Sequence, residues 1–235
     1  MKKNLLRKIG LAVALAVVLG MAHGSSHAQG APQTPAPGRG GAGRSVTPPP
    51  DPTKPAKLEV TEGTTARYKV REQLAGINFP NDAVGTTQAV TGTIVINPDG
   101  SVDASQSKLT VDLRTLKSDQ QMRDGYVQNQ TLETVKFPFI EFVPKRAEGI
   151  PTPLPAAPQA QAGFKLIGDM TLHGVTKEVT WTIVATFGAD LVGGRATTTL
   201  SFADFNITKP SLARLVSVDD KIELEIEFRC KRTAL

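Results

Sequence analysis

The sequence predicts an all-β domain, and three observations support this fold class. Apolar and polar side chains alternate with a period of two residues over the C-terminal part of the chain, which is typical of antiparallel strands with one face in water. All twelve aromatic residues lie in this region, between Tyr68 and Phe228. Turn sequences such as Asn97-Pro98-Asp99-Gly100 separate the alternating segments. About eight strands with few helices leave two architectures open, a sandwich and a closed barrel.

The first 28 residues have the three-part order of a secretory signal peptide. Basic residues up to Lys8 precede an apolar run over residues 9–19, and Ser26-His27-Ala28 resembles an A-x-A cleavage site. The apolar run is too short to cross a bilayer, which takes about 20 residues. We therefore expect residues 1–28 to be removed on export to the periplasm, and the mature protein to have no membrane span.

Residues 29–56 form a predicted disordered linker. This segment contains eight prolines, five glycines and no aromatic residue, so it cannot bury enough apolar surface to offset its ordering entropy. Residues 38–43 match the dinucleotide-binding pattern G-x-G-x-x-G, but the strand and the helix that this site requires are missing around them. The folded domain is therefore expected to comprise residues 57–235.

The alternating segments define eight predicted strands within this domain. The clearest is Ile222–Phe228, in which four large apolar residues alternate with glutamates. Cys230 continues the inward set of this strand and is expected to be buried. The eight strands are Thr65–Val70, Val90–Ile96, Lys108–Leu113, Phe137–Val143, Lys165–Leu172, Val179–Phe187, Arg195–Phe202 and Ile222–Phe228.

One helical segment and one proline-rich loop interrupt the strands. Ser118 and Gln121 have the spacing of a capping box, which predicts a short helix from Ser118 to about Val127. Residues 150–158 carry four prolines and are expected to form a surface loop between two strands.

The distribution of charge argues against nucleic-acid binding. The net charge is +5, but residues 1–28 contribute +4 and residues 29–56 contribute +2. The folded domain is therefore close to neutral, with a net charge of −1. A neutral domain has no electrostatic surface for a phosphate backbone.

The residues that support catalysis or metal binding are scarce. The chain has one cysteine and three histidines, of which only His173 lies outside the signal peptide. This composition excludes a disulfide framework and a cysteine-based zinc site, and we expect no histidine-rich metal chemistry. His173 is expected in a turn, and Glu223, Glu225 and Glu227 on the outer, solvated face of one strand. Common nucleophile and phosphate-binding motifs are missing. We therefore expect no enzyme activity, no cofactor and no metal.

Several ordered sequence blocks resemble the YceI-like family of exported proteins. Residues 168–177, G-D-M-T-L-H-G-V-T-K, are similar to its G-D-L-T-[LI]-[HR]-G-V-T-K signature. Arg123-Asp124 and residues 136–142, K-F-P-F-I-E-F, resemble its R-D-x-H-L and [KY]-[FY]-P-x-I-x-F blocks. Asp204-Phe205 and residues 218–222 are similar to its D-F-G and V-G-D-E-V endings, and the resemblance extends over about residues 58–231.

This resemblance implies a lipocalin-like, eight-stranded antiparallel barrel with one short helical segment. It also implies that the lumen holds a long polyisoprenoid lipid, such as a polyprenyl phosphate or a quinone. The chain departs from the family pattern at four positions. Tyr126 replaces a histidine, Phe202 an arginine, and Asn206 and Asp219 each replace a glycine. If the family's arginine meets a charged headgroup, Phe202 disfavours a phosphate in this protein.

The sequence thus predicts a periplasmic, non-catalytic carrier of an isoprenoid or other long-chain lipid. An eight-stranded barrel can enclose one small ligand. Two alternatives stay open: a structural or stress-response barrel with a solid core, and an enzyme of lipid metabolism that uses Tyr126 and His173. A homodimer is compatible with the sequence. The side chains expected to line the lumen and contact the lipid are Leu113, Ile140, Phe142, Leu166, Met170, Leu172, Trp181, Ile183, Leu200, Phe202, Leu224, Ile226 and Phe228.

Overall fold

The computed structural model describes residues 50–156 and 159–235. The predicted signal peptide and residues 29–49 of the predicted linker lie outside the described residues, as do Ala157 and Pro158 of the proline-rich loop. Among the described residues the first strand begins at Ala56, the last residue of the predicted linker.

The described residues form ten strands and one short α-helix. Two single 3₁₀ turns, Leu113–Thr115 and Ala203–Phe205, and one π-helical turn, Val127–Thr131, complete the regular structure. The helix, α1, spans Gln121–Tyr126. The strands are β1 Ala56–Val60, β2 Thr65–Leu74, β3 Asn81–Thr87, β4 Val90–Ile96, β5 Lys108–Asp112, β6 Phe139–Glu148, β7 Ala160–Leu172, β8 Val175–Phe187, β9 Leu191–Ser201 and β10 Leu215–Ala234.

The strands close into a barrel with eight strand positions. β1 pairs with β4 on one side and with β10 on the other, so that Ala56 lies opposite both Ile96 and Ala234. Two of the eight positions each hold two consecutive strands. β1 and β2 share one position, and β3 and β4 share the next, because β2 pairs with β3 and with the first half of β10. All pairings are antiparallel. The closed sheet confirms the lipocalin-like eight-stranded barrel and removes the sandwich alternative.

The up-and-down order of the strands places different connections at the two ends of the barrel. The end formed by the β6–β7 loop, the β8–β9 turn and the start of β1 is called the base. The opposite end, called the top, carries the β2–β3 hairpin, α1 and the loop between β9 and β10. The β7–β8 turn lies at the top as well, beside these three segments.

The described part of the proline-rich β6–β7 loop covers the base of the barrel. Leu154 of this loop is buried within the main apolar cluster, so the predicted surface loop is in part a plug. Arg232, itself buried on β10, donates hydrogen bonds to the carbonyl oxygens of Leu154 at 3.3 Å and Pro155 at 2.6 Å. Desolvation lowers the pKa of the Arg232 guanidinium. Because Arg232 continues the inward set of β10, it stabilises the loop from inside the barrel.

The predicted helical segment is present, but its predicted cap is wrong. α1 begins at Gln121, three residues later than expected, and no side chain caps it. Ser118 instead bonds to Asp124, whose Oδ1 accepts hydrogen bonds from the Ser118 amide at 2.8 Å and the Ser118 hydroxyl at 2.6 Å. Ser118 thus belongs to a short loop before α1, and Asp124 of α1 stabilises this loop. Within the described residues no helix is long and apolar enough to cross a bilayer.

Candidate ligand-binding cavity

A cavity of about 820 Å³ lies inside the barrel. This volume falls within the range of roughly 300–1,000 Å³ that is typical of small-molecule sites. Aliphatic and aromatic side chains of the inward strand faces form most of its wall. The inward faces therefore do not fill the barrel, in contrast to the alternative with a solid core.

Twelve of the thirteen predicted lumen residues line this cavity. The exception is Met170, which has no exposed surface and belongs to the surrounding apolar cluster. Met170 lies opposite Phe142 across the β6–β7 ladder, so its side chain is on the same inward face but is covered completely by its neighbours. The twelve that line the cavity are Leu113, Ile140, Phe142, Leu166, Leu172, Trp181, Ile183, Leu200, Phe202, Leu224, Ile226 and Phe228. Their contact with a lipid stays a prediction.

Small inward residues, which the sequence analysis did not select, provide space for the cavity. Ala66 on β2 and Ala196 on β9 lie directly opposite Ile226 on the two sides of β10. Ala83 and Ala185 also line the cavity. The signal that could have identified them is their position in the period-two alternation, where alanine takes the place of a large apolar residue. Other unselected lining residues include Tyr68, Val70, Leu109, Leu116, Phe164 and Phe187.

The cavity opens at the top of the barrel. All of the exposed residues in its wall come from the three segments at that end, whereas the wall residues near the base are buried or half-buried. This opening is called the mouth. The exposed wall residues are Ala75 and Ile77 of the β2–β3 hairpin, Gln120 and Met122 at the start of α1, and Leu212 and Arg214 of the loop before β10.

An ion pair lies in the cavity wall near the mouth. Arg123 of α1 donates to Glu72 of β2 at 2.8 Å, and the two side chains are only 13% and 10% exposed. Asn81 donates to the same Glu72 oxygen at 3.1 Å, and Arg123 also bonds Asp119. Burial alone would lower the pKa of Arg123, but Glu72 and Asp119 outweigh it and raise that pKa. The guanidinium is therefore a neutralised cation that two carboxylates already satisfy.

Tyr68 adds a phenolic hydroxyl to this part of the wall. Its side chain lines the cavity, and burial raises its pKa to about 12. The hydroxyl therefore stays protonated at neutral pH and can donate a hydrogen bond. Together with the Glu72–Arg123 pair, it makes the region near the mouth more polar than the deep lumen.

Trp181, the only tryptophan of the chain, lines the cavity on β8. Its ring meets Phe142 edge to face, with ring centroids 6.2 Å apart. It lies opposite Leu166 in the β7–β8 ladder. An occupied lumen would therefore change the surroundings of one fluorescent side chain.

The two residues of the enzyme alternative do not share the cavity. Tyr126 lines it, whereas His173 lies outside the lining. As predicted, His173 occupies a turn, between β7 and β8, with a φ of 51°. Its Nε2 lies 3.0 Å from Glu133 Oε2, and its ring centroid lies 4.6 Å from that of Phe137. This histidine fastens the turn to the segment after α1.

The three glutamates of β10 lie on the outer face of the barrel and pair with basic residues. Glu223 bonds Lys69 at 2.7 Å, and Glu225 bonds Arg67 at 3.1 Å. Glu227 lies 3.3 Å from Arg67. These pairs confirm the predicted solvated face. Among the described residues no group of three or more histidine, cysteine, aspartate or glutamate side chains is arranged to hold a metal.

The departures from the family pattern near Asp204 have local explanations. Asn206 follows the 3₁₀ turn Ala203–Phe205 in the left-handed conformation, with a φ of 52°, which asparagine tolerates better than most residues other than glycine. Phe202 is buried at the top of the lumen. At the position for which the resemblance implies an arginine, this protein therefore has an aromatic ring in the cavity wall.

The comparisons with known proteins agree with this architecture. The family model described as the YceI-like domain matches residues 57–230. A UPF0312 protein of Pseudomonas putida (strain W619) is 33% identical over 135 residues, which cover 52% of this chain and 65% of that protein. The chain thus matches somewhat less than two thirds of the length of this relative.

Two solved structures share the fold. A polyisoprenoid binding domain from Saccharophagus degradans, implicated in plant cell wall breakdown, aligns with a TM-score of 0.57 and 13% identity, over 76% of this chain and 98% of that one. BcnA of Burkholderia cenocepacia aligns with a TM-score of 0.53 and 14% identity, over 71% of this chain and 95% of that one. At these identities the likeness is one of fold.

Proposed function

The chain belongs to the YceI-like family, and from this membership and the cavity we propose that it carries one long apolar lipid of the isoprenoid class without catalysis. The observation that carries the proposal is the apolar cavity of about 820 Å³ with a single exposed border at the top of the barrel. A structural barrel would need no such space. The related fold of a polyisoprenoid binding domain supports the same ligand class.

Apolar contact supplies the affinity in this proposal. Burying each CH₂ group is worth about 0.8 kcal/mol, so a polyprenyl chain gains much binding free energy from the aliphatic and aromatic wall. Ordering the flexible chain opposes part of that gain. The lumen therefore selects for length and apolarity.

The polar part of the lipid lies at the mouth in this arrangement. The deep wall is apolar, whereas Tyr68 and the Glu72–Arg123 pair lie near the opening. Inside the lumen, Arg123 is neutralised by two carboxylates and Phe202 presents a ring where a cation would be needed, whereas Arg214 lies at the exposed border, outside the buried space. Burying a phosphate without a compensating cation is costly. We therefore propose an uncharged headgroup, such as a quinone ring, that accepts a hydrogen bond.

The site of action that fits this proposal is the periplasm. Its support is the order of basic, apolar and small residues in positions 1–28. The candidate catalytic groups Tyr126 and His173 do not converge on one point of the cavity, which supports a carrier over an enzyme.

Titration with two lipids of equal chain length, followed by Trp181 fluorescence, tests the proposal. Ubiquinone should give a saturable change and bind at least about tenfold more tightly than a polyprenyl phosphate. A saturable change with neither lipid would contradict the lipid-binding function. Equal or tighter binding of the phosphate would contradict only the uncharged headgroup.

A further inference from the structure

The mouth of the cavity is bordered by exposed apolar side chains. Ile77 and Phe79 of the β2–β3 hairpin are 49% and 77% exposed, Met122 of α1 is 89% exposed and Leu212 is 47% exposed. These four residues are called the apolar rim. Ile77, Met122 and Leu212 also line the cavity, so the apolar surface of the lumen continues onto the outside of the protein.

The hairpin that carries half of this rim is fixed with its apolar side chains outward. Residues 74–80, L-A-G-I-N-F-P, contain no charge. The Ala75 amide donates to the Arg214 carbonyl at 2.8 Å, and the Ile77 amide donates to the Leu74 carbonyl at 3.2 Å. The Gln73 side-chain amide bonds the Ile77 carbonyl. These bonds satisfy the amides of Ala75 and Ile77 and the carbonyl of Ile77, and they hold the tip with Ile77 and Phe79 directed outward.

One arginine, Arg214, lies next to the apolar rim at the mouth of the cavity. Arg214 is exposed, borders the mouth two residues after Leu212, and makes no ion pair with the part of the chain that the structure describes. Of the acidic groups at this end, Asp119 pairs with Arg123 and Asp82 with Arg71. An apolar rim beside an unneutralised arginine is the pattern of a surface that sits in the interface of an anionic bilayer.

We propose that the apolar rim docks the barrel on a phospholipid bilayer, with the mouth facing the membrane. This inference rests on the proposed function, since a long apolar lipid would otherwise cross water between the membrane and the lumen. With the rim in the interface, the lipid moves from the bilayer into the cavity along a continuous apolar surface. Arg214 then contacts the phosphate groups of the neighbouring lipids.

Flotation of the purified protein with vesicles tests the docking. The vesicles consist of phosphatidylethanolamine and phosphatidylglycerol, or of phosphatidylcholine alone. A double variant, Phe79→Ser with Met122→Ser, should bind the anionic vesicles at least about tenfold more weakly, because two exposed apolar side chains no longer enter the interface. Arg214→Ala should weaken binding about fivefold to anionic vesicles and leave binding to phosphatidylcholine unchanged.

The matched control is Val184→Ser with Leu191→Ser, which removes two exposed apolar side chains from β8 and β9. This control should bind vesicles like the unmodified protein. Unchanged flotation of the rim variant, or no vesicle binding by the unmodified protein, would overturn the docking. A rim variant that only turns a dimer into a monomer in ultracentrifugation would assign the rim to a second copy and also overturn it.

The lipid content of the same preparations separates this inference from the proposed function. A protein that yields lipid on extraction but never binds vesicles contradicts the docking alone. A protein that binds vesicles through the rim but never contains lipid contradicts the carrier function and leaves the docking in place.

Discussion

Cys230 illustrates how burial determines the chemistry of a single side chain. The thiol lies inside the barrel wall, and burial raises its pKa to about 12. Because the thiolate is the reactive form, a thiol reagent should label the native protein slowly near neutral pH and the unfolded protein rapidly. The Cys230→Ala variant, which has no thiol, provides the blank. Native labelling as fast as labelling in denaturant would contradict the buried position.

The position of Cys230 was predictable because it continues an unbroken alternation along β10. Glu72 and Arg123 show the opposite case. Neither residue carries a local pattern that indicates a partner, since they lie 51 positions apart in the chain. Their pairing depends on α1 crossing the end of β2, which only the closed barrel determines.

Asp204 shows how one carboxylate holds a short element together. The Ser201 amide and the Ser201 hydroxyl both donate to Asp204 Oδ2 at 2.8 Å, and Lys177 bonds its other oxygen at 3.3 Å. These contacts, with the bonds from Ser201 first, lower the pKa of Asp204 below its ordinary value. The aspartate of the family's D-F-G block thus fixes the 3₁₀ turn at the top of the barrel.

The Asp204→Asn variant should therefore destabilise the protein in a pH-dependent way. A carboxylate whose pKa is lowered by folding stabilises the fold above the unfolded-state pKa, and this stabilisation is lost as the pH falls through the folded-state pKa. We expect a cost of about 1 kcal/mol at neutral pH, because the group is partly exposed, and a smaller cost near pH 3. Urea denaturation at both pH values measures this difference. Asp219→Asn, an exposed substitution of the same type, is the control, and an equal cost of Asp204→Asn at both pH values would contradict the account.

Most strands were predictable from the alternation of large apolar residues, but β1 and β3 were not among the predicted strands. β3 was not predicted because its inward positions include Ala83 and Gly85, which give a weak period-two signal. A Cβ at Gly85 would lie 2.3 Å from the Tyr68 ring, so the glycine is needed for a contact that the local sequence does not show. β10 also begins seven residues before the predicted Ile222, at Leu215, because the register shift between Val218 and Ile222 interrupts the alternation.

The closed barrel could be predicted from the family resemblance, but the volume of its lumen could not. Period-two alternation describes a filled barrel and a hollow barrel equally well. The difference lies in which inward positions face each other across strands, as Ala66 and Ala196 do beside Ile226. That information depends on the register of three strands, which are distant in sequence. The covering of the base by Leu154 and Arg232 was missed for the same reason.

The central claim is that the lumen is a binding site for a long lipid, and filling it tests this claim most directly. Ile226→Trp places a large ring between two inward alanines. Val184→Trp makes the same change at an exposed position of the outer face. Mass spectrometry of organic extracts gives the lipid per protein for each variant, and a denaturation midpoint gives its stability.

We expect the unmodified protein and Val184→Trp to carry similar amounts of a long isoprenoid lipid. Ile226→Trp should lose most of that lipid while its stability falls by less than the roughly 1–3 kcal/mol of an overpacked core. An unmodified protein that yields no lipid, together with an Ile226→Trp variant that is strongly destabilised, would contradict the claim and indicate a solid structural barrel.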